Sequence, residues 1–506
     1  MASVGGLTLL SRIAGFFRDI VLAAVLGAGP VADAFFVALR LPNHFRAIFA
    51  EGAFNAAFVP SYARVREQGG AAAAGFFADR VFTLLFASQI VLLALALGFT
   101  PAVIDVLAPG FAPGEGRYAL AVELTRITFP YLLMMTLVTL IGGMLNAIDR
   151  FAAAAAAPVL LNLVLMAALG VATFFPTAGH AAAWGVLIAG VLEFLLVAGD
   201  AKRAGIMVKF RWPRWDADVK RFFGALAPAT LGSAGVQVAL FADTILASFL
   251  SVGALSALYY ADRLNQLPIG VIGIAAGTVL LPEMARRIAT GDEKGAQAAQ
   301  NRAIEITLAL ALPFVVGFLV VPDLIMRALF ARGAFTAADA ANAGATLRAY
   351  SLGLVPFVLI RSLTATFFAR GDTATPVKAS LSAVALNVFL KIALVTGTAL
   401  AQVGLALATA AGAWMNVALV AWFAVRRGLL VPDGRLARSL ATLAAAAAAL
   451  AVAIGLGQAF LKTAGLRDEV LLAALAALGA AIYMPFALAI FGRNWRATLG
   501  LRRRSV

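Results

Sequence analysis

Cysteine is absent from this chain of 506 residues, and histidine occurs only twice. Without cysteine the chain can form no disulfide, no thiolate metal site and no cysteine nucleophile. Charged residues are also scarce, at 13% of the sequence against 62% hydrophobic residues. A soluble protein of this size carries about 25% charged residues. The composition therefore indicates a polytopic membrane protein, and its apolar runs have the length of helices.

The sequence also lacks the common motifs of catalysis. It contains no Walker A phosphate-binding loop, no HExxH zinc motif and no GxSxG nucleophile elbow. His44 has too few His or acidic neighbours for a metal site. We therefore expect a transporter that is not an enzyme, with no cofactor and no metal. The net charge of +15 is spread between apolar runs, which fits anionic membrane lipids better than nucleic acid.

Apolar runs of about 20 residues or more predict membrane-spanning helices. Between turn and charge signals the sequence contains 14 of them. They lie at about 4–27, 31–62, 76–108, 118–148, 153–175, 180–200, 220–250, 255–285, 300–330, 340–369, 375–398, 402–425, 437–460 and 468–491.

Lysine and arginine are distributed unequally between the predicted loops. Loops after even-numbered helices, together with the C-terminal tail, hold 26 of them, whereas loops after odd-numbered helices hold five. Because cytoplasmic loops are enriched in these residues, both termini are predicted to lie in the cytoplasm.

The sequence repeats itself at a separation of about 224 residues. Four matches in order at a near-constant offset indicate a duplication, and six helices separate the copies, so the two copies run in parallel. We predict an all-α protein with two six-helix lobes, at 1–203 and 220–427. The linker between them is 204–219, and 428–506 adds two helices and a basic tail. The matches pair Asp19 with Asp243, Phe35-Phe36 with Tyr259-Tyr260, Pro60 with Pro282, and Pro130 with Pro356.

At least nine cations fall inside the predicted spans. A cation at mid-membrane costs roughly 2.5–3.5 kcal/mol or more, and it persists where it meets a water-filled cavity or an opposite charge. A cavity lined by arginine would hold an anion, and parallel repeats place such a site between the two halves. The nine are Arg12, Arg18, Arg40, Arg46, Arg126, Arg263, Arg348, Arg361 and Lys391.

The first predicted helix carries two of these cations. Arg12 and Asp19 share one stripe of the helix, and Arg18 projects about 120° from Arg12. In one interpretation both arginines reach a polar cavity and bind phosphate through their planar guanidinium groups. In the other they pair with Asp19 and Asp33 and hold the helix bundle together.

The second predicted helix contains Pro42 and Asn43, which predict a bend with exposed polar groups beside a cavity. Arg46 lies one turn further on. It is interpreted either as a residue that a hinge carries into the cavity, or as an arginine that reaches the membrane interface beside an ordinary proline kink. Arg263 on helix 8 is the counterpart in the second copy, and Asp262 either orients or neutralises it.

A third group combines Asp243 on helix 7 with Asn387 and Lys391 on helix 11. Asn387 and Lys391 share a helix face. An acid and an amide could hold a cation, but the Lys391 ammonium can take that position. We therefore predict an Asp243–Lys391 pair, either structural or linked to proton movement, at a candidate ion or coupling site.

Several of these segments resemble the signature of the MurJ/MviN family. The resemblance spans the chain and is most specific between Arg12 and Pro60. The matching segments are Ser11-Arg12, Phe17-Arg18-Asp19, Ala32-Asp33-Ala34-Phe35-Phe36, Leu41-Pro42-Asn43, Arg46-Ala47-Ile48-Phe49-Ala50-Glu51-Gly52-Ala53-Phe54, Phe58-Val59-Pro60, Tyr259-Tyr260-Ala261-Asp262-Arg263-Leu264 and Ala369-Arg370-Gly371-Asp372-Thr373.

The resemblance implies a transporter of the MOP superfamily that flips lipid II, the undecaprenyl-diphosphate peptidoglycan precursor, across the bacterial inner membrane. It implies that the diphosphate is handled by Arg12, Arg18, Arg46 and Arg263, with Asp33 and Asn43 at functional polar positions. The last two helices would hold the lipid tail. Gln266 and Lys391 stand where some relatives have acids, and sodium coupling is therefore not expected.

These inferences lead to the prediction of an alternating-access lipid II flippase. We expect a monomer in contact with membrane lipids and, as a candidate partner, the cell-division or elongation machinery. The alternatives are a drug/ion antiporter, which would favour an acidic cavity, and an oligosaccharide-lipid exporter. A membrane transferase would need a catalytic acid pair, for which the sequence offers no convincing candidate.

Overall fold

A computed structural model describes residues 2–50, 53–212 and 214–492, and within these ranges the chain is helical with no β-strand. A 3-10 helix (Ala172–Phe174) follows α7, and a π-helix (Ile269–Gly273) joins α10 to α11. The α-helices are α1 (Ala2–Leu26), α2 (Pro30–Ala50), α3 (Ala53–Gly98), α4 (Thr100–Leu107), α5 (Gly116–Thr128), α6 (Tyr131–Asn146), α7 (Ala152–Gly170), α8 (Ala178–Arg203), α9 (Ala217–Ser248), α10 (Ala254–Pro268), α11 (Ile274–Ala289), α12 (Glu293–Val320), α13 (Pro322–Phe330), α14 (Ala337–Ser351), α15 (Leu354–Phe368), α16 (Ala374–Gly397), α17 (Ala401–Arg426), α18 (Gly434–Lys462) and α19 (Asp468–Phe491).

The predicted fold class, an all-α polytopic membrane protein, is confirmed. In the described part of the chain, ten helical stretches are long and apolar enough to cross a membrane. The predicted spans follow the helices closely: α16 was expected at 375–398 and α19 at 468–491. Several predicted spans each contain two α-helices. The span 118–148 is divided at Pro130 between α5 and α6, and the span 340–369 is divided at Gly353 between α14 and α15.

The second predicted span, 31–62, corresponds to parts of two helices. The helix α2 continues through Pro42 to Ala50, and α3 begins at Ala53. The bend expected at Pro42 stays a prediction. The interruption of α3 comes at Gly70, whose φ of 76° and ψ of −177° are not helical. Glycine adopts such a positive φ without steric cost.

The chain divides into two compact units. The first unit comprises Met1–Ser256 with Arg332–Thr336, and the second comprises Ala257–Ala331 with Ala337–Val506. The lobes predicted from the repeat are a different division, and they stay a prediction.

In the first unit, aromatic rings join α3 to α9. Phe58 stacks on Phe54 and Phe77, with ring centroids 5.2 and 5.8 Å apart. Phe222 of α9 meets Phe58 edge-on at 5.8 Å and is fully buried. Such pairs contribute about 0.5–1.5 kcal/mol each beyond the area that they bury.

In the second unit, polar contacts attach the last two helices to α12 and α13. Ser439 of α18 donates a hydrogen bond of 2.9 Å to the buried carboxylate of Glu305 on α12. The Tyr483 hydroxyl of α19 donates to the carbonyl of Ala309, also at 2.9 Å. Arg327 of α13 forms an ion pair of 3.0 Å with Asp468 at the start of α19. Polar groups buried among apolar helices need partners, so these bonds specify where α18 and α19 dock.

Each unit contains one ion pair between a helix connection and the end of a later helix. In the first, Arg150 donates to Asp200 near the end of α8, with 2.5 Å between Nη2 and Oδ1. In the second, Arg427 beyond the end of α17 donates to Asp372 at 2.7 Å. The connection supplies the base in the first unit and the acid in the second.

Replacement of Gly412 by alanine should destabilise the second unit. A Cβ atom there would lie 2.9 Å from the Cβ of Asn387 and 3.2 Å from the carbonyl oxygen of Ala383, so α16 and α17 would have to separate. We expect a loss of about 1–3 kcal/mol, which is typical of overpacking. Thermal unfolding in detergent would measure it. Gly199→Ala is the matched control, because nothing lies within 4 Å of a Cβ there; an equal loss in both variants would contradict the packing argument.

Acid should weaken the contacts of Asp372. Hydrogen bonds from the hydroxyl and backbone N–H of Thr375, together with Arg427, lower the pKa of this loop carboxylate from 3.8 to about 2. A lowered pKa means that the stabilisation is complete above pH 3.8 and disappears as the pH falls through about 2. The difference in stability between the parent and Asp372→Asn should therefore shrink over this range. A difference that does not change with pH would contradict the assignment.

Candidate functional site

Arg18 lies in a polar cluster between α1 and α7. Its Nε and Nη2 atoms donate to Oδ1 of Asp19 at 3.0 and 2.6 Å. Its Nη1 atom donates to Oδ1 of Asn162 on α7 at 3.0 Å, and the amide of Asn162 donates to the carbonyl of Ser11 at 3.1 Å. The Arg18 side chain is only 15% exposed. The guanidinium is therefore held in one orientation by groups on two helices.

The two arginines of α1 have different surroundings. Arg12 is exposed, whereas Arg18 pairs with Asp19. This pairing was expected from the interpretation in which the arginines hold the helix bundle together. This pairing leaves the phosphate-binding interpretation open, since a carboxylate and a phosphate oxygen both suit a guanidinium.

Asp33 caps the start of α10. Its Oδ2 accepts a hydrogen bond of 2.7 Å from the N–H of Gly253. Its Oδ1 accepts from the N–H and the hydroxyl of Ser256, at 3.0 and 2.7 Å. The residue is 1% exposed. Asp33 thus satisfies N–H groups that the first turn of any helix leaves without an intrahelical partner, and its charge suits the positive end of the helix dipole.

Main-chain atoms pack directly against one another next to Asp33. The N–H of Ala334 donates to the carbonyl of Ala24 at 2.7 Å. A Cβ atom on Gly27 would lie 2.6 Å from the carbonyl oxygen of Ala334, and one on Gly253 would lie 2.8 Å from that of Ala28. Only glycine permits such approaches. We call this group the clasp; it consists of Ala24, Gly27, Ala28, Asp33, Gly253, Ser256, Gly333 and Ala334.

Further along α2, two side chains contact α9. Arg40 donates to the hydroxyl of Thr244 at 2.5 Å and to the carbonyl of Leu240 at 3.0 Å. One turn later the buried ring of His44 lies 4.1 Å from the ring of Phe241, measured between centroids. Arg40 was predicted only as one of nine cations inside the spans, and the structure assigns it to this helix contact.

The remaining predicted site residues of α2 are Asn43 and Arg46. Asn43 is half-buried. The side chain of Arg46 lies outside the described residues, and its place in a cavity stays a prediction.

Arg263 belongs to the second unit. Its guanidinium carbon lies 4.8 Å from the centroid of the Tyr259 ring, one turn earlier on α10. Asp262, which was expected to orient or neutralise Arg263, accepts a hydrogen bond from Gln266. The attraction between a cation and the face of an aromatic ring partly offsets the free energy that the cation loses when it leaves water.

The candidate ion or coupling residues are distributed over both units. Asp243 is half-buried on α9 in the first. Asn387 and Lys391 are both buried on α16 in the second, where Lys391 is 1% exposed and Asn387 packs against Gly412 of α17. The Asp243–Lys391 pair stays a prediction. In the described residues, no group of three or more His, Cys, Asp or Glu side chains could hold a metal ion.

Sequence reasoning missed three residues that complete these contacts. They are Asn162, Thr244 and Ser256. A signal existed for Asn162, which is the single strongly polar residue in the apolar run of α7. Thr244 and Ser256 carried no such signal, because hydroxyl residues are common in membrane helices and their partners come from distant parts of the chain.

Comparisons with known proteins identify relatives over almost the whole chain. A family described as "Lipid II flippase MurJ" matches residues 22–475. A "Probable lipid II flippase MurJ" of Rhizobium meliloti (strain 1021) is 42% identical over 100% of this chain and 95% of its own length. One of Rhizobium tropici is 43% identical over 87% and 83%. A "Lipid II flippase MurJ" of Burkholderia cenocepacia is 33% identical over 98% and 96%.

Solved structures share the fold. One described as "Lipid II flippase MurJ, inward closed conformation" superposes with a TM-score of 0.82 over 97% of this chain and 99% of its own, at 23% identity. An inward-facing multidrug resistance MATE family transporter of the MOP superfamily superposes with a TM-score of 0.70 over 85% and 98%, at 16% identity. At these identities the likeness establishes the fold alone.

Asp33→Asn should loosen the clasp. An amide presents N–H groups to the N–H donors of α10 and keeps only one acceptor oxygen, a change that costs about 1–3 kcal/mol at a buried site. Because the chain has no cysteine, a single Ala254→Cys thiol can report the change by maleimide labelling. Ala254 is buried, and we expect labelling to become about tenfold faster in the Asp33→Asn background. Ser251→Cys, an exposed position, is the control and should label equally in both backgrounds; unchanged labelling of Ala254→Cys would contradict the capping role.

Proposed function

Because this chain belongs to the lipid II flippase MurJ family, we propose that it moves lipid II from the inner to the outer leaflet of the bacterial inner membrane. The observation that carries the proposal is the family match over residues 22–475. It is supported by the arginine that the first helix holds within an apolar bundle. The substrate combines a lipid tail with a diphosphate, and the chain combines lipid-facing helices with oriented guanidinium groups.

We infer that Arg18 binds a phosphate of the substrate by exchanging partners. The Asp19 carboxylate now accepts two hydrogen bonds from the guanidinium. The oxygens of a diphosphate can accept the same pair of hydrogen bonds and carry more charge. Asn162 would keep the arginine in place during the exchange, because it holds a different nitrogen. Arg12, Arg46 and Arg263 are proposed to complete the site, with Asn43 as a polar neighbour.

We further propose transport by alternating access, with the clasp as the closed external end. The lysine and arginine distribution supports an orientation with the connection between α1 and α2 outside and both termini in the cytoplasm. A packed clasp on the external side fits a state that takes up substrate from the cytoplasm. Release would then require Asp33 to leave the start of α10, while the predicted lobes move about the substrate site.

The driving force for transport would not come from ATP hydrolysis by the chain itself. The sequence contains no Walker A loop for ATP hydrolysis. A headgroup of about −2 charge that moves toward a positive exterior gains roughly 2.3 kcal/mol per charge per 100 mV. Removal of lipid II by extracellular enzymes would add to this.

The repeat supports the proposed pairing of Asp243 with Lys391. At the offset of about 224 residues, Asp243 corresponds to Asp19 and Asn387 to Asn162. In the first copy a cation, Arg18, bridges the acid and the amide. In the second copy Ala242 replaces that arginine, and Lys391, one turn beyond the amide, supplies a cation from the other helix. We therefore propose an internal lysine in place of a bound sodium ion.

The alternatives are less well supported. A drug/ion antiporter takes cationic substrates and would favour acids where this chain has arginines. The structural likeness to a MATE transporter shows the fold and no more. An oligosaccharide-lipid exporter would share the diphosphate chemistry, and family membership is what favours lipid II.

The decisive experiment is rescue of a bacterium depleted of its own lipid II flippase. The parent chain should restore growth, and Arg18→Ala should fail although it inserts normally. Loss of charge-assisted bonds worth about 1.5–3 kcal/mol each should lower transport at least about tenfold. Arg18→Lys should rescue poorly, since an ammonium keeps the charge without the planar fork. Arg203→Ala removes an exposed cation of the same unit and should rescue fully.

The outcomes separate the parts of the proposal. Full rescue by Arg18→Ala would keep lipid II as substrate and remove our account of its binding. Failure of the parent chain at normal membrane levels would instead favour the oligosaccharide-lipid exporter.

A further inference from the structure

A basic and aromatic segment lies along α3 in an extended conformation. We call it the strap; it comprises residues 206–212 and 214–216, between α8 and α9. Asp79 of α3 accepts a hydrogen bond of 2.7 Å from the N–H of Lys209, and Thr83 accepts one of 3.0 Å from the N–H of Arg211. The strap is therefore attached through its backbone to side chains one helical turn apart.

The order of these bonds gives the direction of the strap. The later strap residue bonds to the later residue of α3, so the strap runs beside α3 in the same direction. Two strap residues cover one turn of α3, which rises by about 6 Å, and this matches the advance of about 6.6 Å for two extended residues. Asp79 lies near the beginning of the third predicted span, 76–108, so in the predicted orientation the strap runs from the cytoplasmic side toward the membrane.

Side chains hold the strap at both ends. The ring of Phe210 lies 4.9 Å from Phe82 and 5.1 Å from Phe86, between centroids. Arg211 donates to Asp79 at 2.9 Å. At the last residue of the strap, Asp216 pairs with Arg80 and caps α9 by accepting a hydrogen bond from the N–H of Val219.

The remaining groups of the strap project away from the protein. Trp212 is 86% exposed and Trp215 is 59% exposed. Lys209 and Arg214 are exposed beside them. The neighbouring acids are already engaged, Asp216 by Arg80 and Asp218 by Arg64. Large aromatic rings are unfavourable when they are exposed to water. Such rings next to cations are typical of the membrane interface, where tryptophan lies at headgroup level.

We propose that the strap is a binding surface for the phosphate groups of anionic glycerophospholipids in the cytoplasmic leaflet. Trp212 and Trp215 enter the headgroup layer, and Lys209 and Arg214 attract the phosphates. Each basic residue near such a surface enriches anionic lipid about fivefold. The proposal depends on the orientation of the chain and not on lipid II transport.

Brominated lipids would test this surface. Phenylalanine replaces Trp184, Trp414, Trp422 and Trp495, which leaves Trp212 and Trp215 as the only tryptophans. The full chain is placed in phosphatidylcholine vesicles that contain one-tenth phosphatidylglycerol and no lipid II. Quenching of tryptophan fluorescence is measured in two samples. In one the phosphatidylglycerol is brominated near the headgroup, and in the other an equal amount of phosphatidylcholine is brominated instead. The ratio of the first quenching to the second measures the local enrichment of phosphatidylglycerol around the two tryptophans.

We expect a ratio of about five or more, which Lys209→Gln with Arg214→Gln should bring close to one. The matched control removes two exposed cations of the second unit, Lys294→Gln with Lys378→Gln, and should leave the ratio unchanged. A ratio of one in the parent, or an equal fall in the control, would overturn the proposal. So would the absence of quenching by either lipid, which would instead indicate a strap that faces water or a protein partner. Because no transport is measured, these results are independent of the lipid II proposal.

Discussion

The structure depends on the requirement that a charge inside an apolar helix bundle meet a hydrogen-bonding partner. An uncompensated charge costs several kcal/mol there, while a paired one specifies which helices touch. Arg18 ties α1 to α7 through Asn162, and Arg40 ties α2 to α9 through Thr244. Glu305 does the same for α12 and α18. Each polar contact gives a pair of otherwise similar apolar helices a unique register.

The duplication predicted from the sequence pairs contacts of opposite chemistry at corresponding positions. Arg150 meets Asp200 in one unit, and Asp372 meets Arg427 in the other, with acid and base reversed. A pair of this kind survives exchange because its energy depends on opposite charge and not on which helix supplies it. Two copies that began alike could in this way acquire different polar interiors without any change of fold.

Sequence predicted the helices well and their polar partners poorly, for physical reasons. The spans follow from hydropathy, which is local, so α16 and α19 agree with prediction within a residue or so at each end. Pro42 was expected to bend α2, and the helix continues through this residue, since neighbouring groups can satisfy the freed carbonyl. The partners of Asp33 and Arg40 lie more than 200 residues away, at Ser256 and Thr244. No local pattern encodes such pairings. The expected meeting of Arg12, Arg18, Asn43, Arg46 and Arg263 stays a prediction.

Much of the clasp is built from main-chain atoms, and its one acidic side chain, Asp33, is buried. Dissolved ions screen exposed charges but hardly reach a buried contact of this kind. The strength of the clasp should therefore vary little with the ionic strength of the surrounding solution. In the proposed orientation, with the clasp at the external end, its opening would then be set by events inside the protein and not by the salt content of the medium.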